Sequence, residues 1–161
     1  MSHKSLIAYF THSGNTRKIA GCIHNEMGGA IFDIEPETPY PNSYNAVVAQ
    51  AKKEIQAGHK PALKANTDDI DPYDIIFIGS PNWWHTMAPP VATFLSSHDW
   101  SGKTVVPFCT HGGGGQENVL RDIARLCPQA AILGGFEVYG GGSGDTQAKI
   151  SAWLRRIGVA E

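Results

Sequence analysis

The sequence predicts an α/β fold: a doubly wound, five-stranded parallel sheet with helices on both faces. Short apolar runs, such as residues 6–10 and 75–78, are bounded by turn residues, which is typical of strands buried on both faces. Between such runs, apolar residues recur with a helical period, as at Ile19, Ile23 and Met27. Strands that alternate with helices over short connections predict parallel strands joined by right-handed crossovers.

The first half of the chain contains two predicted strands and two predicted helices. The first strand covers residues 6–10, and the helix after it ends at Gly28-Gly29. Residues 30–34 supply a short second strand, and three prolines between 36 and 41 then force an extended connection. A second helix is predicted from about residue 44 to 56, with Gly58 as its stop and with Val47, Val48, Ala51 and Ile55 facing inward.

A polar stretch separates these elements from the third strand. Residues 59–72 carry Asp68, Asp69 and Asp71, which we interpret as a solvated loop because no matching metal-ligand spacing follows. The third strand is predicted over residues 73–79. Pro89-Pro90 opens a third helix that runs to about residue 95, because proline is tolerated in a first helical turn.

The remaining elements complete the alternation. Residues 104–108 form the predicted fourth strand, and a fourth helix carries apolar residues from Val119 to Leu126. The fifth strand covers residues 131–139, with a candidate break at Gly134-Gly135. A last helix begins near Asp145 and holds Ile150, Trp153, Leu154 and Ile157 on one face.

Length, charge and cysteine content limit the class of protein. The 161 residues are expected to form one domain, 1–161, and no apolar run approaches the roughly 18 residues that span a membrane. The N-terminus leads directly into the first strand, so no signal peptide is expected. Three cysteines without Cys-x-x-Cys spacing favour reduced thiols in the cytoplasm. A net charge of −2 without a basic cluster argues against nucleic acid as a partner.

Three unusual stretches follow the first, third and fourth strands, where ligands bind in open parallel sheets. The first stretch is Thr11-His12-Ser13-Gly14-Asn15-Thr16. Its hydroxyl and amide groups, together with the N–H groups of a helix N-terminus, suit a phosphate or another anion. The alternative is a polar turn in which Ser13 or Asn15 caps the helix.

The other two stretches suggest a flat ligand. Trp83 and Trp84 follow the third strand, and one of them can serve as a stacking surface even if the other packs in the core. The run from Gly112 to Gly115 follows the fourth strand and lets the backbone approach a ring edge, unless it is merely a flexible connection. Together, the three stretches predict a pocket for a flat heterocycle that carries one phosphate.

These residues resemble the flavodoxin-like FMN-binding proteins over essentially the whole chain. The run Ser80-Pro81-Asn82-Trp83-Trp84, followed by Pro89-Pro90, Gly102-Lys103 and Phe108-Cys109-Thr110-His111-Gly112-Gly113, is similar to one short branch with a Pro-x-Trp-Trp motif. The resemblance implies FMN as the cofactor and the strand order 2-1-3-4-5. It implies that the FMN phosphate is bound by residues 11–16 and that the flavin is flanked by Pro81, Asn82, Trp83, Trp84 and His85 on one side and by Thr110, His111, Gly112, Gly113 and Gly114 on the other.

The chain departs from the branch at two positions. Asn82 replaces an aliphatic residue and His85 replaces a glycine. Between Gly79 and Gln116 the only charged residues are Asp99 and Lys103, so neither flavin-facing stretch carries a carboxylate. This absence suggests that a reduced, anionic flavin is repelled less than in acidic flavodoxins.

The resemblance implies electron transfer, either as a flavodoxin-type carrier or as a small-substrate reductase of the quinone type. The implied partners are a redox protein or a small-molecule acceptor, with NAD(P)H as a candidate reductant, a homodimer as a candidate assembly and no membrane. Two alternatives remain open at this point. One is a cysteine hydrolase that uses Cys109 and His111, because residues two apart in an extended segment share a face. The other is a flavin-free binding module on the same fold.

Overall fold

A computed structural model describes residues 4–65 and 69–160 of the chain. Asp68 of the predicted solvated loop lies outside these residues, whereas Asp69 and Asp71 are exposed, as expected. The described elements, in chain order, are β1 (Ser5–Tyr9), α1 (Asn15–Met27), β2 (Ala30–Asp33), α2 (Tyr44–Ala57), β3 (Ile75–Trp83), β4 (Thr86–Met87), α3 (Pro89–Ser96), β5 (Thr104–His111), α4 (Val119–Arg125), β6 (Ala131–Ile132), β7 (Phe136–Tyr139) and α5 (Thr146–Arg156).

The sheet confirms the predicted α/β fold and its strand order. The strands lie in the order β2-β1-β3-β5, and β6 and β7 both pair with the outer side of β5. These pairs are parallel, so the five predicted strand positions are occupied in the order 2-1-3-4-5. The fifth position is divided because the chain at Gly135 runs close to β5, where an added Cβ atom would lie 2.7 Å from the carbonyl oxygen of Pro107.

Alternation of side chains along the central strands divides the core between the two faces of the sheet. Leu6 and Ala8 belong to a buried cluster that includes Phe94 of α3 and Ile123 of α4. The intervening Ile7 points to the opposite face, which is covered by α1 and α5. This period of two is the geometry of a pleated strand. Helices therefore cover both faces, as predicted. None of the helices in residues 4–65 and 69–160 combines the length and the apolar character needed to cross a membrane.

Two strands are longer than predicted, which corrects the positions of several candidate site residues. β3 continues to Trp83 and β5 continues to His111, so Pro81, Trp83 and Thr110 lie in strands and not in loops. Ladder pairing of Pro81 with Thr110 extends the two strands side by side beyond their apolar runs. Since this pairing comes from the neighbouring strand, composition along one segment does not reveal it. β4 then turns back antiparallel to the end of β3, an element that the sequence did not predict.

We predict that Gly79→Ala strongly destabilises the protein. A Cβ atom at position 79 in β3 would lie 2.2 Å from the ring of Phe108, so the core would have to shift. Overpacking of this kind costs about 1–3 kcal/mol. The measurement is the free energy of unfolding in urea.

The matched control is Gly21→Ala in α1. Position 21 has no atom within 4 Å of an added Cβ atom, and alanine is the better helix former by about 1 kcal/mol. This variant should be as stable as the wild type or more stable. Equal effects of the two substitutions would contradict the packing that we describe around Phe108.

Candidate functional site

A cleft of about 650 Å³ lies at the carboxyl ends of β1, β3 and β5. This volume falls in the range of small-molecule sites. The cleft brings together residues from all three of the unusual stretches. Thr11, Gly14 and Gly113 belong to the same stretches but do not line it. The candidate residues that do line it are His12, Ser13, Asn15, Thr16, Pro81, Asn82, Trp83, Trp84, His85, Thr110, His111, Gly112 and Gly114.

The first stretch presents the N-terminus of α1 to the cleft. Gly14 is the N-cap residue, with a φ of 96°, and no side chain caps the helix. Its own N–H donates to Oγ1 of Thr11 at 2.9 Å. The expected alternative, in which Ser13 or Asn15 caps the helix, is therefore not observed. Within the part of the chain that the structure describes, no side chain caps the first-turn N–H groups of α1, which is the arrangement that stabilises a bound anion.

A buried pair of hydroxyl groups joins the first stretch to the third. Oγ1 of Thr16 lies 2.9 Å from Oγ1 of Thr110, and both residues are almost fully buried. Because each hydroxyl satisfies the other, the two threonines hold the start of α1 against the end of β5. Their hydrogen bond sets the distance between two walls of the cleft.

The two tryptophans have different environments, although they are adjacent in the sequence. Trp83 is half-buried, and its ring meets Phe10 and Tyr40 edge to face, at centroid distances of 5.3 and 5.0 Å. Trp84 is 40% exposed, and its Nε1 donates to the carbonyl oxygen of Val48 in α2 at 2.9 Å. Trp83 thus joins the edge of the core, whereas Trp84 lies across α2 at the mouth of the cleft.

Polar contacts connect the β3–β4 hairpin to the segment before α4. Nδ2 of Asn82 donates to the carbonyl oxygen of Gly115 at 2.9 Å and to Oε1 of Glu117 at 2.8 Å. Nδ1 of His85 is hydrogen-bonded to Oε2 of Glu117. These hydrogen bonds, from Asn82 and then from His85, hold the pKa of Glu117 below its ordinary value. Oδ1 of Asn82 is buried and has no hydrogen-bond partner among the described residues.

One carboxylate lines the cleft, and a second lies beside a histidine that lines it. Glu117, the residue immediately after the 79–116 segment, lines the cleft, and Oε1 of Glu137 in β7 lies 3.8 Å from Nε2 of His111. The absence of carboxylates from the two stretches therefore does not make the site free of them. Glu117 therefore weakens the electrostatic argument for an easily formed anionic flavin, which stays a prediction.

The geometry of Cys109 does not support the cysteine hydrolase. Its side chain is fully buried, its thiol donates to the carbonyl oxygen of Thr110 at 3.4 Å, and burial raises its pKa to about 12. A nucleophile of this class needs an accessible thiolate. His111 lines the cleft instead, where its Nδ1 accepts the N–H of Gly113 at 3.1 Å.

Several residues of the cleft were not anticipated from the sequence. The face of α2 assigned to the core also forms a wall of the cleft, and Glu117 forms part of its rim. The glycine-rich stretch after β7 runs close to the start of α1, because an added Cβ atom at Gly141 would lie 3.1 Å from Oδ1 of Asn15. This run of glycines was the sequence signal that could have indicated another wall of the cleft. The unanticipated lining residues are Tyr44, Val47, Val48, Ala51, Glu117, Tyr139 and Gly140.

Comparison with known sequences identifies one family. A family model described as Flavodoxin matches residues 4–157. No protein with a curated description matches the chain.

Solved structures show the same architecture. A proposed flavoprotein from Bacteroides eggerthii is 31% identical, with a TM-score of 0.85, and the match covers 97% of this chain and 98% of that one. Another, from Bacteroides uniformis, is 26% identical with a TM-score of 0.84, and the match covers 96% and 99% of the two chains. A flavoprotein from Lactobacillus acidophilus, solved in complex with FMN, is 22% identical with a TM-score of 0.75 over 94% and 99% of the two chains.

We predict that Cys109 resists alkylation in the folded protein. The thiol is inaccessible and, with a pKa of about 12, it is protonated at neutral pH. Iodoacetamide at pH 8 should modify the half-buried Cys22 first and should reach Cys109 and Cys127 only after unfolding, as peptide mass mapping would record. Rapid modification of Cys109 in the native protein would revive the hydrolase hypothesis.

Proposed function

Because the chain belongs to the flavodoxin family, we propose that its cleft binds FMN and that the protein transfers electrons. The observation that carries this proposal is the convergence of an anion site and an aromatic wall on one cleft. The uncapped N-terminus of α1 lies in the same cleft as the indole rings of Trp83 and Trp84. A flat ring with a phosphate group matches both features.

The phosphate end of the cleft has the required donors and the required space. Ser13 and Asn15 supply side-chain donors beside the first turn of α1. An added Cβ atom at Gly112, which lines the cleft, would meet no atom within 4 Å, so the backbone there borders open space. A dianionic group is favoured there by the N–H groups and by the helix dipole.

The ring end of the cleft offers complementary hydrogen bonding. The unpartnered Oδ1 of Asn82 is an acceptor that a ring N–H group would satisfy. Burial of such an acceptor without a partner costs about 1–3 kcal/mol, so a ligand that donates to it gains affinity. The chemistry of these residues therefore fits an isoalloxazine ring as well as a phosphate.

Bound FMN would supply the redox chemistry, and the protein would supply binding and orientation.

A small-substrate reductase of the quinone type fits the surface better than a protein-to-protein carrier. The net charge of −2 gives little electrostatic steering toward a basic partner protein. Tyr44, Trp84 and Tyr139 are exposed and line the same cleft, where a flat aromatic acceptor can stack. We propose NAD(P)H or a redox protein as the source of electrons.

We predict that Ser13→Ala weakens the binding of FMN and leaves the binding of riboflavin unchanged. Riboflavin lacks the phosphate, so it does not use the donors at the start of α1. One hydrogen bond to a charged group contributes about 1.5–3 kcal/mol, which corresponds to a roughly 10- to 100-fold increase in Kd. The measurement is fluorescence titration of the apoprotein with each flavin.

Ser101→Ala, which removes a hydroxyl just before β5 at the opposite edge of the sheet, is the control and should bind both flavins normally. A wild-type protein that takes up neither flavin would refute the proposed function. Equal weakening of both flavins by Ser13→Ala would refute the assignment of the phosphate end.

We predict that Trp84→Ala weakens FMN binding and reduces the quenching of flavin fluorescence by the protein. The free energy of unfolding should be nearly unchanged. The indole of Trp84 is 40% exposed and lies outside the core, and stacking contributes about 1–3 kcal/mol per ring. Ile132→Ala, at a similarly exposed apolar residue on β6, is the matched control. Unchanged affinity in Trp84→Ala would exclude this ring as a stacking surface.

A further inference from the structure

We propose that His85 donates a proton to a two-electron acceptor of the quinone type and that Glu117 positions it for this role. The inference rests on the proposed function and specifies the class of acceptor.

The contacts of His85 leave one ring nitrogen available. Nδ1 is hydrogen-bonded to Glu117, and no hydrogen bond of Nε2 is found among the described residues. Glu117 is itself held by Nδ2 of Asn82 at 2.8 Å, so the carboxylate that orients the imidazole is fixed from a second direction. A histidine oriented through one nitrogen can transfer a proton through the other.

The backbone around this pair is strained. Trp84, His85 and Glu117 have φ values of 52°, 74° and 47°, and they are the non-glycine residues with positive φ in residues 4–65 and 69–160. Each such conformation costs roughly 1–2 kcal/mol. The N–H of Asn118 also donates to the carbonyl oxygen of His85 at 3.0 Å, which joins the two strained segments. Strain of this kind clusters at functional sites, where it holds side chains in working positions.

The charged groups around His85 come from the elements that pack against the hairpin. Oδ2 of Asp122 in α4 accepts a hydrogen bond from Oγ1 of Thr86 at 2.6 Å, and Arg121 and Arg125 partly neutralise that carboxylate. The other groups are Lys52 of α2, whose Nζ lies 5.1 Å from the centre of the Trp84 ring, and His12 and His111, which line other walls of the cleft. Oε1 of Glu137 lies 3.8 Å from Nε2 of His111.

Glu117 is thus the carboxylate in direct contact with His85. Because its pKa is lowered, it is charged at neutral pH and supplies a counter-charge for a protonated imidazole. The imidazole side chain is 63% exposed, so water can return a proton to it after each transfer.

For a quinone, the electrons and protons of the proposed step can be counted in full. Reduction to the hydroquinone consumes two electrons and two protons. Bound FMN, in its reduced form, would supply both electrons and one of the two protons as a hydride equivalent, and would itself be oxidised. The second O–H bond forms at the acceptor oxygen as the Nε2–H bond of His85 breaks, and the neutral imidazole then takes a proton from water. A one-electron acceptor such as ferricyanide takes up no proton and does not need His85.

The experiment compares two acceptors in FMN-loaded wild type, His85→Gln, Glu117→Gln and, as a distant histidine control in α1, His24→Gln. Each protein is photoreduced without oxygen and mixed in a stopped-flow instrument with 1,4-benzoquinone or with ferricyanide. His85→Gln should slow reoxidation by benzoquinone by about 100-fold or more, the contribution typical of general acid catalysis. Ferricyanide should reoxidise all four proteins at similar rates.

Glu117→Gln should slow only the benzoquinone reaction, by about 10-fold, because the imidazole is retained but loses its charged partner. This variant keeps the proposal testable if His85→Gln fails to fold. A second measurement does not depend on turnover. Imidazole NMR signals of His85, assigned by their loss in His85→Gln, should shift when 1,4-hydroquinone is added to the oxidised, FMN-loaded protein, and those of His24 should not.

Equal slowing with both acceptors would show that His85 and Glu117 only hold the hairpin in place. Unchanged benzoquinone rates in His85→Gln, or His85 signals that do not respond to hydroquinone, would also overturn the proposal. Each of these results leaves the proposed function intact. Failure of the wild type to bind FMN would instead overturn the proposed function, and the proton donor with it.

Discussion

The parallel pairing of β1, β3 and β5 is the constraint on which the rest of the structure depends. The ladder aligns Tyr9 with Gly79 and Gly79 with Phe108, so the three strands end at the same edge of the sheet. Gly79 permits this alignment because the ring of Phe108 occupies the space where a side chain would lie. The three stretches, at residues 11–16, 81–85 and 110–114, thereby meet at one cleft although they are separated in the sequence.

The charges in the cleft are arranged in pairs. His85 contacts Glu117, and His111 lies near Glu137, so each of these histidines has a carboxylate beside it. The carboxylates come from the segment before α4 and from β7. A site built in this way places each imidazole beside a carboxylate that would stabilise its protonated form. This pairing supports the proton-consuming acceptor that we propose.

Local signals predicted the elements well where the chain itself supplies the physical cause. Pro89-Pro90 begins α3 because proline has the φ of a first helical turn, and Gly134-Gly135 interrupts the fifth strand as expected. The extension of β3 to Trp83 was missed because its hydrogen bonds come from β5 and β4. Asn82 and His85 were recognised as departures from the related branch, but their shared partner Glu117 lies more than 30 residues away.

The sequence by itself determined the alternation of strands and helices and the three stretches that follow its strands, because hydrophobic period and turn chemistry are local properties. The order of the sheet was implied only by the resemblance to a known family. Only the tertiary structure decided that Trp83 joins the core while Trp84 remains at the mouth of the cleft. It also decided that Cys109 is buried and inert and that Glu117 meets His85. Burial and pairing depend on which distant segments pack together, and that information is absent from any single stretch of the chain.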